Sequence, residues 1–467
     1  MKPWEQYLAD RRDAAVSELV EFLRIPAISA LKENLGDVQA AAEWTAERLR
    51  RAGIENVRSM PTPGPGGQGH PAVYGDWLHA PGKPTVLIYG HFDVQPVDPV
   101  SLWTDPPFEP TVRDGRIYAR GAGDDKGNML IPILVAEAFL KTAGKLPINL
   151  KFIFEGQEEI GSPQFVPFVG NNKELLAADL VISADGAQES ETQPILLVGF
   201  KGLVPLQVDV YGAKTDLHSG IYGGSVPNPI HALVRILDSM RSPEGKIQVA
   251  GFFDDVVDLT EEDRAQIAAV PFDDQKHFAG LGVSGGFGEP GYTTVERAWA
   301  RPTLEINGIW GGFQGEGVKT VLPNEAHAKI TCRLVANQDP DAIYKAIEAH
   351  IKKVAAEQTP GVRVTITQLP GQAYPYLMPA DHPANKLVGA VLTEMYGNPP
   401  HYVRMGGSVP VLMAFLRQLG VYTVTLAFAL EDERHHAPDE FLRLASFEKG
   451  KIAFGQVWER IAERGLE

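Results

Sequence analysis

At 467 residues the chain exceeds what a single hydrophobic core usually serves, so at least two domains are expected. With 44% hydrophobic and 22% charged residues it has the balance of a folded globular protein, and no run approaches the ~18 apolar residues of a membrane span. A formal charge of −16 argues against nucleic-acid and anionic-membrane partners, both of which need a basic footprint.

Apolar residues at Trp4, Leu8, Leu19, Val20 and Leu23 predict a helix over 4–24, ending before Pro26, and a second amphipathic helix is predicted over 38–51. The first ten residues hold no apolar signal core, and the single cysteine, Cys332, permits no intrachain disulfide and reads as a small buried hydrophobe in a strand. Both point to a cytoplasmic protein. Residues 61–69 form a Pro/Gly-rich loop, and His70 beside it reads as a surface residue rather than a ligand.

The run 84–90 predicts a buried strand, followed at once by His91, Phe92 and Asp93. A second polar group, Gly121-Ala-Gly123-Asp124-Asp125-Lys126-Gly127, leads into a helix over 128–142. The apolar run 148–154 is a further strand; it opens into Glu155-Gly-Gln-Glu158-Glu159-Ile-Gly161, and the strand 178–183 ends beside Asp185. Three apolar strands thus each deliver acids or imidazoles at their carboxyl ends, where open parallel sheets bind ligands.

After about residue 197 the pattern changes. A half-buried strand over 202–211, a helix over 227–240, strands over 303–306 and 326–334, a helix capped by Asp339-Pro340 and a strand through Val362, Val364 and Ile366 give the order βαββαβ. That is the split ferredoxin-like unit. The fold class is therefore α/β, with a mixed, mostly parallel sheet flanked by helices in a first domain formed by 1–197 and 379–467, and an inserted α+β domain over 198–378. Residues 242–301 are an irregular elaboration of the insert. Beyond 379 come a helix over 383–395, the loop Gly406-Gly407-Ser408, a strand over 421–426, the pair His435-His436 and a helix over 439–464.

The strand-end residues His91, Asp93, Asp124, Asp125, Glu158, Glu159, Asp185, His435 and His436 form the donor set that a pair of zinc or similar divalent ions uses, with no thiolate cluster for a structural zinc. Two ions ~3.5–4 Å apart require a bridging carboxylate. Spacing alone allows Asp124 or Asp125. Of two adjacent Glu residues at a strand end, one can bind a metal while the other acts as a base, although Glu158-Glu159 alone would read as a solvated acidic loop.

Four segments, His91-Phe-Asp93-Val-Gln-Pro96, Asp124-Asp-Lys-Gly127 after Ala119-Arg-Gly121, the run Glu155–Ser162, and His436-Ala-Pro-Asp-Glu440, together resemble the dinuclear zinc metallopeptidase family of carnosine dipeptidases, aminoacylases, a bacterial glutamate carboxypeptidase and acetylornithine deacetylase. The motifs occur in the family's order over nearly the whole chain. The resemblance implies that Asp124 bridges two metals, zinc or else manganese or cobalt, with His91 and Asp185 completing one site and Glu159 and His436 the other. It implies Glu158 as general base and Asp93 as the carboxylate that orients His91. In the insert, Asp216-Leu-His218-Ser-Gly220 resembles the lid motif whose His contacts the scissile carbonyl oxygen, and Lys319-Thr320-Val-Leu-Pro323, Cys332-Arg333 and Gly406-Gly-Ser408-Val-Pro410 resemble substrate-binding segments of the dipeptidase branch. Thr320, Arg333 and Ser408 are then expected at the substrate, with Arg333 as the fork for its terminal carboxylate. A lid and dimerisation role is implied for the insert, with His218 reaching a partner's site.

The expected activity is hydrolysis of dipeptides or small peptides with a free C-terminus. An aminoacylase-type deacylase is the alternative. Carnosine dipeptidases carry a His before a Gly-Gly-Lys-Pro hinge segment, which Gly371-Gln-Ala-Tyr-Pro375 lacks, and this counts against carnosine as the substrate. A phosphate-binding role for Gly121–Gly127 is disfavoured by two anion-repelling Asp residues and by the missing Gly-Lys-[Ser/Thr], and a non-catalytic binding module by the retained Glu158.

Overall fold

The computed structural model describes residues 1–64 and 66–466. Two compact units emerge: one contains Met1–Val198, Met378–Val403 and the chain from Pro410 onward, and the other contains Gly199–Leu377 with Arg404–Val409.

The first unit is built on a six-stranded sheet in the order Glu55–Met60, Ala72–Trp77, Asn149–Glu155, Thr85–His91, Leu180–Ser183, Thr423–Thr425. The first two pairings are antiparallel and the remaining three parallel. Continuous apolar runs become these inner strands because parallel strands are covered on both faces. Every residue of Leu180–Ser183, and all but the first of Thr85–His91 and Asn149–Glu155, is buried. Helix Lys126–Ala143 is buried along most of its length and packs against helix Leu444–Arg464.

The second unit carries a four-stranded antiparallel sheet ordered Thr303–Gly311, Glu325–Leu334, Gly202–Tyr211, Arg363–Gln368, which is the ferredoxin-like arrangement. Val204, Leu206, Val208 and Val210 alternate on one strand and Ala328, Ile330, Cys332 and Leu334 on its neighbour, forming one core with Leu233 and Ile236 of helix Pro229–Asp238 and Ile343, Ile347 and Ile351 of helix Pro340–Gln358. Cys332 lies fully inside that core.

The structure corrects several expectations. The first helix is two, Pro3–Asp10 and Arg12–Leu23, because Arg11 leaves helical backbone at φ −104° and ψ 15°. The last helix starts at Leu444, since Asp439 takes a positive φ of 59° and Phe441–Arg443 pairs instead with the strand Arg116–Tyr118. Residues 242–301 contain three short helices, Glu261–Ala268, Asp274–Leu281 and Thr294–Ala300, and helix Pro410–Leu419 was not anticipated. In the Pro/Gly-rich loop, Pro65 lies outside the described residues, and its neighbours Pro63–Gly64 and Gly67–Gln68 pair as a short hairpin. His70 is half-buried, with Nε2 3.0 Å from the carbonyl of Ser29.

Candidate metal centre

Strand ends bring the donors together. His91 closes the strand Thr85–His91, in register with Glu155 on the neighbouring parallel strand. Asp185 follows Leu180–Ser183 by two residues, and Glu158 and Glu159 open the short turn Glu158–Ile160 beyond Asn149–Glu155. Asp124 stands just before helix Lys126–Ala143, while His436 enters on a loop with left-handed backbone at Arg434, His436 and Asp439.

Two groups of potential ligand atoms result, His91 with Asp124 and Asp185, and Asp124 with Glu159 and His436, each with its atoms within 4.8 Å of one another. Asp124 belongs to both: its Oδ1 lies 3.1 Å from His91 Nε2 and its Oδ2 2.9 Å from His436 Nε2. His436 Nε2 is also 3.2 Å from Glu159 Oε2, and His91 Nε2 is 4.0 Å from Asp185 Oδ2. Asp125 is turned the other way, with Oδ2 accepting the His91 backbone amide at 3.1 Å. His435 stands outside both groups, packed over Gly123; a Cβ there would meet its Nε2 at 2.7 Å.

The orienting contacts are more extensive than the sequence suggests. His91 Nδ1 is 3.1 Å from the Asp93 carbonyl and 3.5 Å from its Oδ1, so Nδ1 donates to Asp93 and Nε2, turned toward Asp124 and Asp185, is the nitrogen available to a metal. The buried Asp93 carboxylate also receives the backbone amides of Glu158 and Glu159, both at 3.1 Å, and so fixes the turn that presents them. Gln95 Nε2 donates to Glu159 Oε2 at 2.8 Å. Glu440 is buried and accepts from Arg120 Nη1 and from the amides of Gly121, Gly123 and Asp124, clamping the loop that carries the shared carboxylate. Asn128 completes the clamp, donating to the Gly123 carbonyl and accepting from the Phe428 amide. Glu440 sits in the run His436-Ala-Pro-Asp-Glu440; only its place in that motif could have flagged it.

Burial opposes charge here, and like charges compound the effect. Burial, reinforced by Asp124, raises Glu159 to about 7 and Asp185 to about 6. Burial also raises Glu158 well above the usual carboxylate range, with Asp185, Glu159 and Asp124 adding repulsion. His436 is raised to about 10 by its hydrogen bonds to Asp124 and Glu159, while His91 is raised despite burial because Asp124 and Asp93 hold its charged form. Asp124 is held low against its own burial by the two histidines. Crowded buried carboxylates with imidazole nitrogens aimed among them fit divalent cations, and the oxygen and nitrogen donors suit zinc as well as manganese or cobalt.

Within the second unit, His218 lies on a two-stranded ribbon of Leu217–His218 and Val321–Leu322, and Thr320 immediately precedes its second strand. His218 pairs with Val321, and the Ser219 amide donates to the Thr320 carbonyl at 3.1 Å. Both side chains are exposed. His218 Nδ1 accepts the Gly220 amide at 3.0 Å, which leaves Nε2 as the donor of the neutral ring. Arg333 Nη1 donates to Ser408 Oγ at 3.0 Å, and Ser408 donates to the Lys201 carbonyl.

A mostly parallel sheet whose strand ends deliver carboxylates and imidazoles to a shared Asp defines a metal-dependent hydrolase. Residues 87–460 match the family model described as Peptidase family M20/M25/M40, and the chain belongs to that family. It is 31% identical over 457 residues to a Cys-Gly metallodipeptidase, dug1, of Schizosaccharomyces pombe, covering 94% of each chain. The Beta-Ala-His dipeptidase of Homo sapiens is 28% identical over 98% of this chain and 92% of that protein. Among solved structures, the M20 family metallo-carboxypeptidase Sso-CP2 of Sulfolobus solfataricus superposes with a TM-score of 0.80 at 30% identity, covering 96% of this chain and 99% of that one.

Proposed function

We propose that this chain is a dinuclear metallodipeptidase that hydrolyses the peptide bond of dipeptides and small peptides with a free C-terminal carboxylate. The observation that carries the reading is the pair of donor groups sharing Asp124, with Glu158 beside them. Relatives named as dipeptidases favour it over an N-acyl amino-acid deacylase. The proposed ligands are His91, Asp124 and Asp185 for one ion and Asp124, Glu159 and His436 for the other.

Two divalent cations, zinc in our reading, would supply Lewis-acid polarisation of the scissile carbonyl and of the attacking water. Glu158 takes a proton from that water as its oxygen bonds to the carbonyl carbon, then passes it to the amine as the C–N bond breaks. Asp93 holds His91 and the Glu158-Glu159 turn in place. His218, with Nε2–H outward, donates to the developing oxyanion. Arg333, joined to Ser408 and without a carboxylate partner among the described residues, takes the terminal carboxylate, with Thr320 beside the substrate.

We further read the protein as a cytoplasmic homodimer formed through the second unit, in which His218 serves the partner's site. In support, the edge strand Thr303–Gly311 exposes Ile306, Ile309 and Trp310, and no helix among the described residues is long and apolar enough to cross a membrane. The test is metal analysis combined with hydrolysis of a panel of dipeptides, their C-terminal amides, longer peptides and N-acetyl amino acids. Metal-dependent cleavage of dipeptides is expected; cleavage of N-acetyl amino acids alone would replace this reading with the deacylase.

A further inference from the structure

The second unit holds another cation beside Arg333. Lys201 immediately precedes the strand Gly202–Tyr211 and is only 3% exposed. Alternation along an extended chain puts its side chain on the same face as Leu203, whose register partner is Arg333, and opposite the face on which Val204 and Cys332 join the core. Its backbone is tied to the Ser408 loop: the amide donates to the carbonyls of Met405 and Gly407, and the carbonyl accepts the Ser408 hydroxyl that Arg333 also grips. The ammonium donates to the Arg297 carbonyl at 3.1 Å, one partner for three donors. Among the described residues neither Lys201 nor Arg333 pairs with a carboxylate, although the arginines around them do, Arg404 with Asp263, Arg301 with Glu289 and Arg264 with Glu296.

We propose that Lys201 is a specificity-determining residue: with Arg333 it forms a two-cation seat that one carboxylate, the C-terminus of the peptide, completes. This rests on the dipeptidase reading and assigns that site's second cation. The buried Lys201 ammonium and the half-buried Arg333 guanidinium beside it repel each other until an anion joins them, so the seat favours a carboxylate over a neutral amide at the same position. Burial, with the Arg333 guanidinium next in effect, pushes the Lys201 ammonium down to about 8. Of the other charged groups on the elements around it, Arg404 and Asp263 offset each other and Arg297 presents its carbonyl. The seat therefore loses a charge at mildly alkaline pH.

The experiment measures kcat and KM for a dipeptide and its C-terminal amide between pH 6.5 and 9.5, using metal-loaded wild type, Lys201→Met and Lys201→Arg. The amide shares the substrate's amino group and so cancels its titration. In wild type, KM for the free dipeptide should rise about tenfold through about pH 8 relative to the amide, with kcat little changed, on the scale of a charged hydrogen bond. Lys201→Met should show the raised KM already at pH 7 and lose the pH dependence, and Lys201→Arg should keep the low KM to higher pH. A wild-type KM ratio flat across this range, a measurement that needs no variant to fold, would overturn the proposal, as would equal losses on dipeptide and amide in Lys201→Met. Wild type that turns over no dipeptide at all would remove the dipeptidase reading and the seat together.

Discussion

Around Asp124 the first unit crowds Asp125, Glu158, Glu159 and Asp185 together with two histidines, whereas around Arg333 the second unit buries Lys201 and positions Ser408 with no carboxylate paired to either cation among the described residues. One site is short of positive charge and the other of negative charge. Proteins rarely leave buried charge uncompensated, because desolvation is costly unless a partner offsets it. On the proposed reading, the contrast teaches what would complete each unit: cations in the first and the anionic end of a substrate in the second.

Removing the cations should have the largest effect. A chelator should abolish hydrolysis and lower the melting temperature, and divalent zinc, manganese or cobalt should restore both; activity that survives exhaustive chelation, checked by metal analysis, would break the first half of the contrast. Next, Glu158→Ala should leave two metals bound while turnover falls about 10²–10⁴-fold, since it deletes a proton carrier and no ligand. Near-normal turnover, or loss of both metals, would take that role from Glu158. His218→Ala should cost about 10²–10³-fold, the scale of one lost oxyanion donor. Mixing and re-dimerising it with Glu158→Ala should restore activity, because one site then carries both defects and the other neither; a mixture as inactive as its parents means that His218 serves its own subunit.

Smaller effects sharpen the second half. Amidating the substrate's C-terminus, or Arg333→Met acting on the free dipeptide, should each cost ~1.5–3 kcal/mol in kcat/KM, and the two losses should not add. The smallest effect is on stability. Asp185 and Glu159 are raised in the metal-free fold to about 6 and about 7 from ordinary values of 3.8 and 4.5, so the folded state binds more protons than the unfolded chain between those limits. The stability they contribute is complete below about pH 4 and is lost as pH rises through 6 to 7. Thermal melts of the metal-free protein should therefore drop over this window, by roughly 1–2 °C for each kcal/mol lost, while the metal-loaded protein stays level.

The α/β class was readable because the inner strands are continuous apolar runs and the polar residues cluster where those runs end. Helix Pro340–Gln358 was equally plain: Asp339 does cap it, accepting the amides of Asp341 and Ala342. The helices within 242–301 were not, although Thr260 with Asp263 and Thr293 with Glu296 form capping boxes visible in the sequence. At eight residues or fewer they are too short to show a periodic stripe. The start of the last helix was hidden because what displaces it, the pairing of Phe441–Arg443 with Arg116–Tyr118, joins segments distant in sequence. In the candidate site, residue types and order were legible, but the choice between neighbours was not. Spacing cannot tell that Asp125 is held on the His91 amide or that His435 is folded over Gly123. Nor could it reveal Glu440, whose bonds to Gly121, Gly123 and Asp124 become visible only when the chain is closed.

That grip has a consequence for biosynthesis. The loop bearing Asp124 is synthesised early, yet the carboxylate that fastens it and the imidazole of His436 belong to the last strip of the first unit, made after the whole second unit has been translated. A nascent chain that has not yet released Glu440 from the ribosome has its early acids and no clamp to order them. With the proposed ligands, both metal positions would be complete only after synthesis of this strip, and a chain stalled ahead of it would hold His91, Asp124 and Asp185 without the Glu440 clamp or His436.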